Sequence, residues 1–257
     1  MSWEERCRAL EEQNRALQEA DQRKDQFLAV LAHELRNLLA PIGYAVDLMQ
    51  ISAEDPAVVR ECCAVTDRQL NQMVRLVDDL LDVSRISRGK MDLRCERVPL
   101  AEVVARAVEI SRPWIEGNQQ TLHVTVPAEP ILLNADATRL AQVVANLLNN
   151  ASKYSEAGGE IRLAVEPTGA EALIRVKDHG AGIPPDDMGR IFDMFSQLDP
   201  PPERSPRGLG IGLGLAKGIV ELHSGRIVVR SDGPRQGSEF IIRLPCLSGA
   251  EPHTEWE

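Results

Sequence analysis

The chain changes rhythm near Pro99. Ahead of it, apolar residues recur at helical spacing with one break. From Trp3 to Met49 a heptad puts Cys7, Asn14, Asp21, Leu28, Leu35, Ile42 and Met49 at a. Leu10, Leu17, Lys24, Leu31, Leu38 and Ala45 then fall at d. Asn14, Asp21 and Lys24 interrupt the first half, a weak coiled coil, whereas the second half is strongly apolar. Such a helix is about 70 Å long, too long to be buried in a small globule, and needs partners along its length. Ser52-Ala53-Glu54-Asp55-Pro56 is a polar turn with proline placed to start the next helix. That helix runs to about Ser87, with Val59, Cys63, Thr66, Leu70, Met73, Val77, Leu80 and Ser84 on one seam. Leu76, Leu81 and Val83 widen the face. Two antiparallel helices cannot hide faces this wide alone, and a four-helix bundle from two chains, a homodimer, is the simplest solution.

After Arg97 the pattern is mixed. Helices are predicted over 100–116, 137–154 and 211–223, and strands over 121–126, 131–133, 160–166, 172–177, 226–230 and 238–244. Strands joined by hairpins with helices interspersed predict helices covering one face of a mixed sheet. Residues 199–207 hold four prolines and read as a mobile loop. The polar tail, 247–257, is expected to be disordered.

Composition narrows the function. The net charge of −10, with 29 basic residues scattered along the chain, argues against a nucleic-acid partner. Five cysteines without framework spacing read as reduced thiols of a cytoplasmic protein. No run approaches the roughly 18 apolar residues of a membrane span, and the polar N-terminus does not resemble a signal peptide.

Four segments carry candidate chemistry. In His33-Glu34-Leu-Arg36-Asn37-Leu38, His33 falls at f, pointing away from the seam, with Asn37 one turn on. A neutral imidazole beside a carboxylate accepts an electrophile while the carboxylate holds the tautomer and takes the ring proton. Taken alone, a surface histidine is more often decorative. In Asn146-Leu-Leu-Asn149-Asn150-Ala-Ser-Lys153-Tyr154, Asn146, Asn150 and Lys153 share a helix face. An asparagine oxygen suits Mg2+, although a polar helix C-terminus is the equally good bland reading. Asp178-His179-Gly180-Ala181-Gly182-Ile183 follows a strand and joins a carboxylate acceptor to glycines that permit close approach; an ordinary Asp-Gly turn fits as well. Gly208-Leu-Gly210-Ile-Gly212-Leu213-Gly214 leads into a helix whose N-terminus suits phosphates. The spacing around Lys217 is not that of a P-loop, and no surrounding βαβ unit supports a Rossmann reading.

Together and in this order, the segments resemble the transmitter core of a sensor histidine kinase, over about 21–244. His33 to Asn37 matches the family's H box and Asn146 to Tyr154 its N box. Asp178-x-Gly180-x-Gly182 matches the G1 box, Ile191-Phe-Asp-Met-Phe195 the F box, and Gly210-x-Gly212-Leu-Gly214 the G2 box, with Gly237-Ser-Glu-Phe240 closing the domain. The resemblance implies an α+β chain: a dimerising antiparallel helical hairpin followed by an α/β sandwich ATP-binding domain. Its expected limits are an N-terminal signal helix at 1–26, the hairpin at 27–92, the catalytic domain at 93–246 and the tail at 247–257.

The resemblance also implies roles. His33 would accept the phosphoryl group from ATP and Glu34 would be the base. Glu34 with Asn37 matches an E-x-x-N pattern that positions water when a partner is dephosphorylated. Asn150 would bind Mg2+, with Asn146, Lys153 and Tyr154 contacting the nucleotide. Asp178 would read the adenine amine, and Gly180, Gly182 and Ile183 would wall its pocket. Phe195, Gly210, Gly212, Leu213 and Gly214 would shape the lid, and Arg204 or Arg207 would reach the γ-phosphate. The implied partners are a response regulator receiver domain and a sensor domain upstream in a parent chain. Leu38 stands where the family usually has proline, so the first helix should bend less, unless Pro41 supplies a displaced kink. A non-catalytic scaffold and a chaperone- or topoisomerase-like ATPase are the rival classes. The first would have lost essential residues, and the second would lack an outward histidine on a dimerising hairpin.

Overall fold

A single carboxylate starts the second helix of the hairpin. Asp55 Oδ1 accepts the backbone N–H groups of Ala57 and Val58 at 2.9 and 3.4 Å, capping the helix that opens at Pro56. In the computed structural model, which describes residues 3–194 and 210–247, α1 spans Trp3–Ile51 and α2 Pro56–Ser87. The two helices meet near the turn, where Cys63 Sγ lies 4.0 Å from Met49 Sδ, and Ala45 and Cys62 are buried. Helix α1 continues without interruption through Pro41, although proline removes the hydrogen bond to the carbonyl of Asn37.

The seam on α2 divides differently from the heptad reading. Cys62 and Val83 are buried within the chain, whereas Leu70, Val74, Val77 and Leu81 are about half exposed. A helix in a four-helix arrangement touches two neighbours, so its apolar stripe must serve two faces.

Among the described residues, 82–194 and 212–247 belong to a second compact unit. It contains β1 (Glu96–Pro99), α3 (Leu100–Gly117), β2 (Thr121–Thr125), β3 (Leu132–Ala135), α4 (Ala137–Tyr154), β4 (Glu160–Thr168), β5 (Glu171–Asp178), α5 (Gly212–Leu222), β6 (Arg226–Arg230) and β7 (Glu239–Pro245). A five-stranded sheet has the order β2-β4-β5-β7-β6; β2 and β4 run parallel and the other neighbours antiparallel. On β4 the alternation is clean: Ile161, Leu163 and Val165 are buried while Glu160 and Arg162 are exposed. The buried side chains of α3, α4 and α5 build the core with the sheet, Leu140, Leu147, Leu148 and Ile219 being among the most enclosed. Each such side chain is worth about 1.5–3 kcal/mol in burial.

Strand β1 was not predicted. Its four residues, Glu96 to Pro99, have no alternation to read, and pairing with β3 sets Val98 opposite Leu133. Helix α4 is fixed at its start by Asp136, whose Oδ1 accepts from Thr138 N and Arg139 N, both at 3.1 Å. The Asp136 N–H in turn donates to His223 Nε2 at 3.0 Å, tying the start of α4 to the residue that follows α5.

The last turns of α2 pack inside this second unit. Arg139 forms a forked pair with Asp82, one arm from Nη2 to Oδ1 at 3.0 Å and the other from Nη1 to Oδ2. Asp82 is buried, and Arg139 Nη1 also donates to Gln142 Oε1. Ile86 fills the space beside Gly218, where a Cβ would lie 2.9 Å from its Cγ2.

Candidate functional site

The first candidate site is on the exposed side of α1. The His33 side chain is 66% exposed and that of Glu34 20%. One amide holds the ring: Asn37 Nδ2 lies 3.1 Å from His33 Nδ1. Glu34 Oε1 is 3.9 Å from the same nitrogen, within charge–charge reach but beyond a hydrogen bond. The carboxylate expected to hold the tautomer therefore does not bond the ring here.

The second candidate site is assembled by α4, the end of β5 and the loop between β6 and β7. Asp178 ends β5 and is buried. Its Oδ1 accepts from Gly180 N at 2.8 Å and from Ser238 N at 3.3 Å, and its Oδ2 accepts from Ser238 Oγ at 2.5 Å. A carboxylate offers about four acceptor positions, so one is left for a ligand donor. The following loop is stitched on both sides. Ala181 N donates to Tyr154 O at 3.0 Å, and Arg235 N donates to Ala181 O at 2.6 Å. Ser231 Oγ accepts from Ile183 N at 3.0 Å and donates to Gly237 O at 2.7 Å.

Two glycines in this loop have no substitute. A Cβ on Gly180 would lie 2.3 Å from Tyr154 O. One on Gly182, whose φ is +67°, would lie 2.1 Å from Gly233 O. Ile183 is buried beside them.

Helix α4 brings Asn146, Asn150 and Lys153 along one polar side, with Asn146 and Asn150 half-buried. Lys153 Nζ sits 5.2 Å from the centre of the exposed Tyr154 ring. Helix α5 begins against Asn146, since a Cβ on Gly212 would lie 2.6 Å from Asn146 Oδ1. A Cβ on Gly214 would lie 2.9 Å from Met194 Sδ, and Phe192 in turn meets Phe240 edge to face at 6.3 Å. Leu213 is half-buried in the first turn of α5, and Gly210 has φ +66°. The structure thus brings Asn146, Tyr154, Asp178, Gly180, Gly182, Ile183, Gly212 and Gly214 into one connected framework. Phe195, Arg204, Arg207, the proline-rich loop and the tail from 248 lie outside the described residues.

Sequence reading missed Ser238 and Ser231 as parts of this framework. Gly237-Ser-Glu-Phe240 was legible as a closing motif, but only the fold shows Ser238 gripping Asp178 sixty positions earlier.

Sheet, helices and glycine-lined loop are those of a nucleotide-binding ATPase domain carried behind a histidine-bearing hairpin. Residues 135–248 match the family model described as histidine kinase-, DNA gyrase B- and HSP90-like ATPase, and residues 23–89 match the His Kinase A (phospho-acceptor) domain. The chain belongs to the sensor histidine kinase family and has the architecture of its transmitter core.

Among its relatives, the alginate biosynthesis sensor protein KinB of Pseudomonas aeruginosa is 35% identical over 224 residues, covering 86% of this chain and 37% of KinB. A solved structure of the mycobacterial sensor histidine kinase MprB is 30% identical with a TM-score of 0.51, covering 59% of this chain and 97% of that one. Full-length ShkA in complex with AMPPNP is 26% identical with a TM-score of 0.64, covering 88% of this chain and 46% of that one. The chain spans well under half the length of the curated relatives it matches. Among the described residues no helix is long and apolar enough to cross a membrane.

Proposed function

We propose that this chain transfers the γ-phosphoryl group of Mg-ATP to His33 and then passes it to an aspartate of a response regulator receiver domain. The observation that carries the reading is the pairing of two features on one chain. One is an exposed imidazole whose Nδ1 is held by the Asn37 amide. The other is a buried carboxylate with a spare acceptor position beside glycines that leave no room for side chains.

In this reading Asp178 accepts a hydrogen bond from the adenine amine, and Gly180, Gly182 and Ile183 line the base pocket. The first turn of α5, at Gly212, Leu213 and Gly214, offers backbone N–H groups to the phosphates. Lys153 and Tyr154 flank the nucleotide, and Gly210, Phe195 and Arg207 belong to the lid. Asn146 and Asn150 supply neutral oxygens. No group of three or more His, Cys, Asp or Glu among the described residues could hold a metal by itself. Asn150 is thus suited to a Mg2+ that arrives with the phosphates, and that ion neutralises their charge when bound. What the protein contributes is position and electrostatics, as in phosphoryl transfer generally.

The half-exposed Leu70, Val74, Val77 and Leu81 on α2 support a homodimer through the hairpin. The E-x-x-N pattern of Glu34 and Asn37 supports dephosphorylation of the same regulator.

The test is labelling with γ-labelled Mg-ATP, alongside His33→Gln and Asn150→Ala. Acid-labile, base-stable label lost in both variants is expected. Label surviving in His33→Gln overturns the acceptor assignment, and absence of both label and nucleotide binding leaves a scaffold.

A further inference from the structure

We propose that Ser231 is a positioning residue for nucleotide recognition, its hydroxyl tying together the two loops that aim the Asp178 carboxylate at the base; this rests on Asp178 accepting the hydrogen bond of the adenine amine. Ser231 follows β6 and is half-buried. Its Oγ accepts from Ile183 N at 3.0 Å and donates to Gly237 O at 2.7 Å. The contacts within its own turn, with Gly233 N and Gly233 O, are both longer, at 3.4 Å. A serine that served only to close the β6–β7 turn would bond best to its near neighbours. Here one short bond reaches a residue 48 positions earlier and the other reaches the far end of the loop.

Those two ends are the segments that hold Asp178. On one side Gly180 N donates to Asp178 Oδ1 at 2.8 Å, and the chain runs on to the buried Ile183. On the other, Gly237 N donates to Gly180 O at 3.2 Å, and Ser238 supplies its N–H to Oδ1 and its hydroxyl to Oδ2. The two segments already touch, since a Cβ on Gly237 would lie 2.2 Å from Asp178 O. A hydroxyl has one proton and two lone pairs. With the proton given to Gly237 O, both lone pairs are left for the N–H groups of Ile183 and Gly233, so the group is fully used. Asp178 keeps one acceptor position for a ligand, and the direction of that position is set by how closely the two segments are held.

Without the hydroxyl, the Ile183 N–H and the Gly237 C=O lose their partner together. The segments can then separate to admit water, and a shift of about 1 Å misaligns a directional bond to the amine more than it weakens contacts elsewhere on the nucleotide. The loss therefore falls on discrimination between bases as well as on affinity.

The experiment compares wild type, Ser231→Ala and Ser231→Thr in the full chain. Each is titrated calorimetrically with AMPPNP and with the same nucleotide lacking the 6-amino group, and the ratio of the two Kd values is read. A fall in the folded fraction weakens both ligands by one factor and cancels in the ratio, so a merely structural role leaves it unmoved. Wild type is expected to favour the amine roughly tenfold or more, as for a hydrogen bond to a charged group. Ser231→Ala is expected to bring the ratio to about threefold or less, and Ser231→Thr, which keeps the hydroxyl, to restore it. Hydrogen exchange of the Ile183 amide is followed in parallel and is expected to be slow in wild type and Ser231→Thr and fast in Ser231→Ala. An alanine variant with the wild-type ratio overturns the proposal, as does a threonine variant no better than alanine. A wild type that binds both nucleotides equally overturns the role given to Asp178, while unchanged Ile183 exchange in Ser231→Ala overturns the role given to the hydroxyl.

Discussion

Replacing Gly182 by alanine separates two costs that one glycine carries. At φ +67° an alanine meets the left-handed penalty, about 1–2 kcal/mol. It also drives a Cβ to 2.1 Å from Gly233 O, and real Cβ contacts are essentially never below 3.0 Å. The loop must open by about 1 Å, and it is anchored by Arg235 N to Ala181 O and by Ile183 N to Ser231 Oγ, so that opening strains the hydrogen bonds that hold the loop after Asp178. Gly169 supplies the comparison. Its φ is +61° in the turn between β4 and β5, and a Cβ there meets nothing within 4 Å. Gly169→Ala is therefore expected to lower the melting temperature of the second unit by roughly 2–8 °C and to leave nucleotide affinity unchanged. Gly182→Ala is expected to lower it further and to weaken AMPPNP binding in a calorimetric titration at least tenfold, about 1.4 kcal/mol, since a displacement of 1 Å in a positioning loop is costly. Equal affinities for the two variants would refute the idea that the contact with Gly233 sets the shape of the base pocket.

Three other outcomes follow from the same geometry. Arg139→Ala leaves the Asp82 carboxylate buried without its partner and should destabilise the second unit by about 3 kcal/mol in urea unfolding, whereas Asp82→Asn with Arg139→Met should cost much less. Burial, and then the negative charge of Glu171, push the Cys246 thiol up, so less of it is thiolate at any pH below that range. Iodoacetamide at pH 8 should alkylate the exposed Cys63 and Cys95 before Cys246, and Glu171→Gln should move the Cys246 alkylation curve to lower pH, both read by peptide mass. Val77→Lys puts a charge in the half-exposed apolar stripe of α2 and should convert a sedimenting dimer to monomer with the nucleotide-binding unit still folded.

Local signals were legible where local chemistry decides the outcome. The apolar spacing of 137–154 gave α4 to the residue, because the helix has a strong capping aspartate at its start and carries its own amphipathic pattern. β1 escaped because Glu96 to Pro99 become a strand only by pairing with β3. The two-layer arrangement and the glycine-lined loop were legible for a different reason: glycines spaced two apart after a strand are rare unless backbone must come close. What could not be read was who completes each group. Asp82 looks like one more polar residue on a helix until Arg139, fifty-seven positions later, closes on it.

The division of the α2 stripe has the same origin and bears on function. A heptad reading assigns one seam per helix, yet Cys62 and Val83 face inward while Leu70, Val74, Val77 and Leu81 remain half exposed. A sequence contains the total apolar width but not its apportioning between the partner helix of the hairpin and a second chain. The same limit governs His33. Its outward placement follows from the heptad, and a carboxylate next to it suggests a base. Only the distances, 3.1 Å to Asn37 and 3.9 Å to Glu34, show which neighbour is within hydrogen-bonding reach of the ring. Adjacent residues on a helix point about 100° apart, whereas residues four apart stack, so the contact at i+4 is the one the backbone favours.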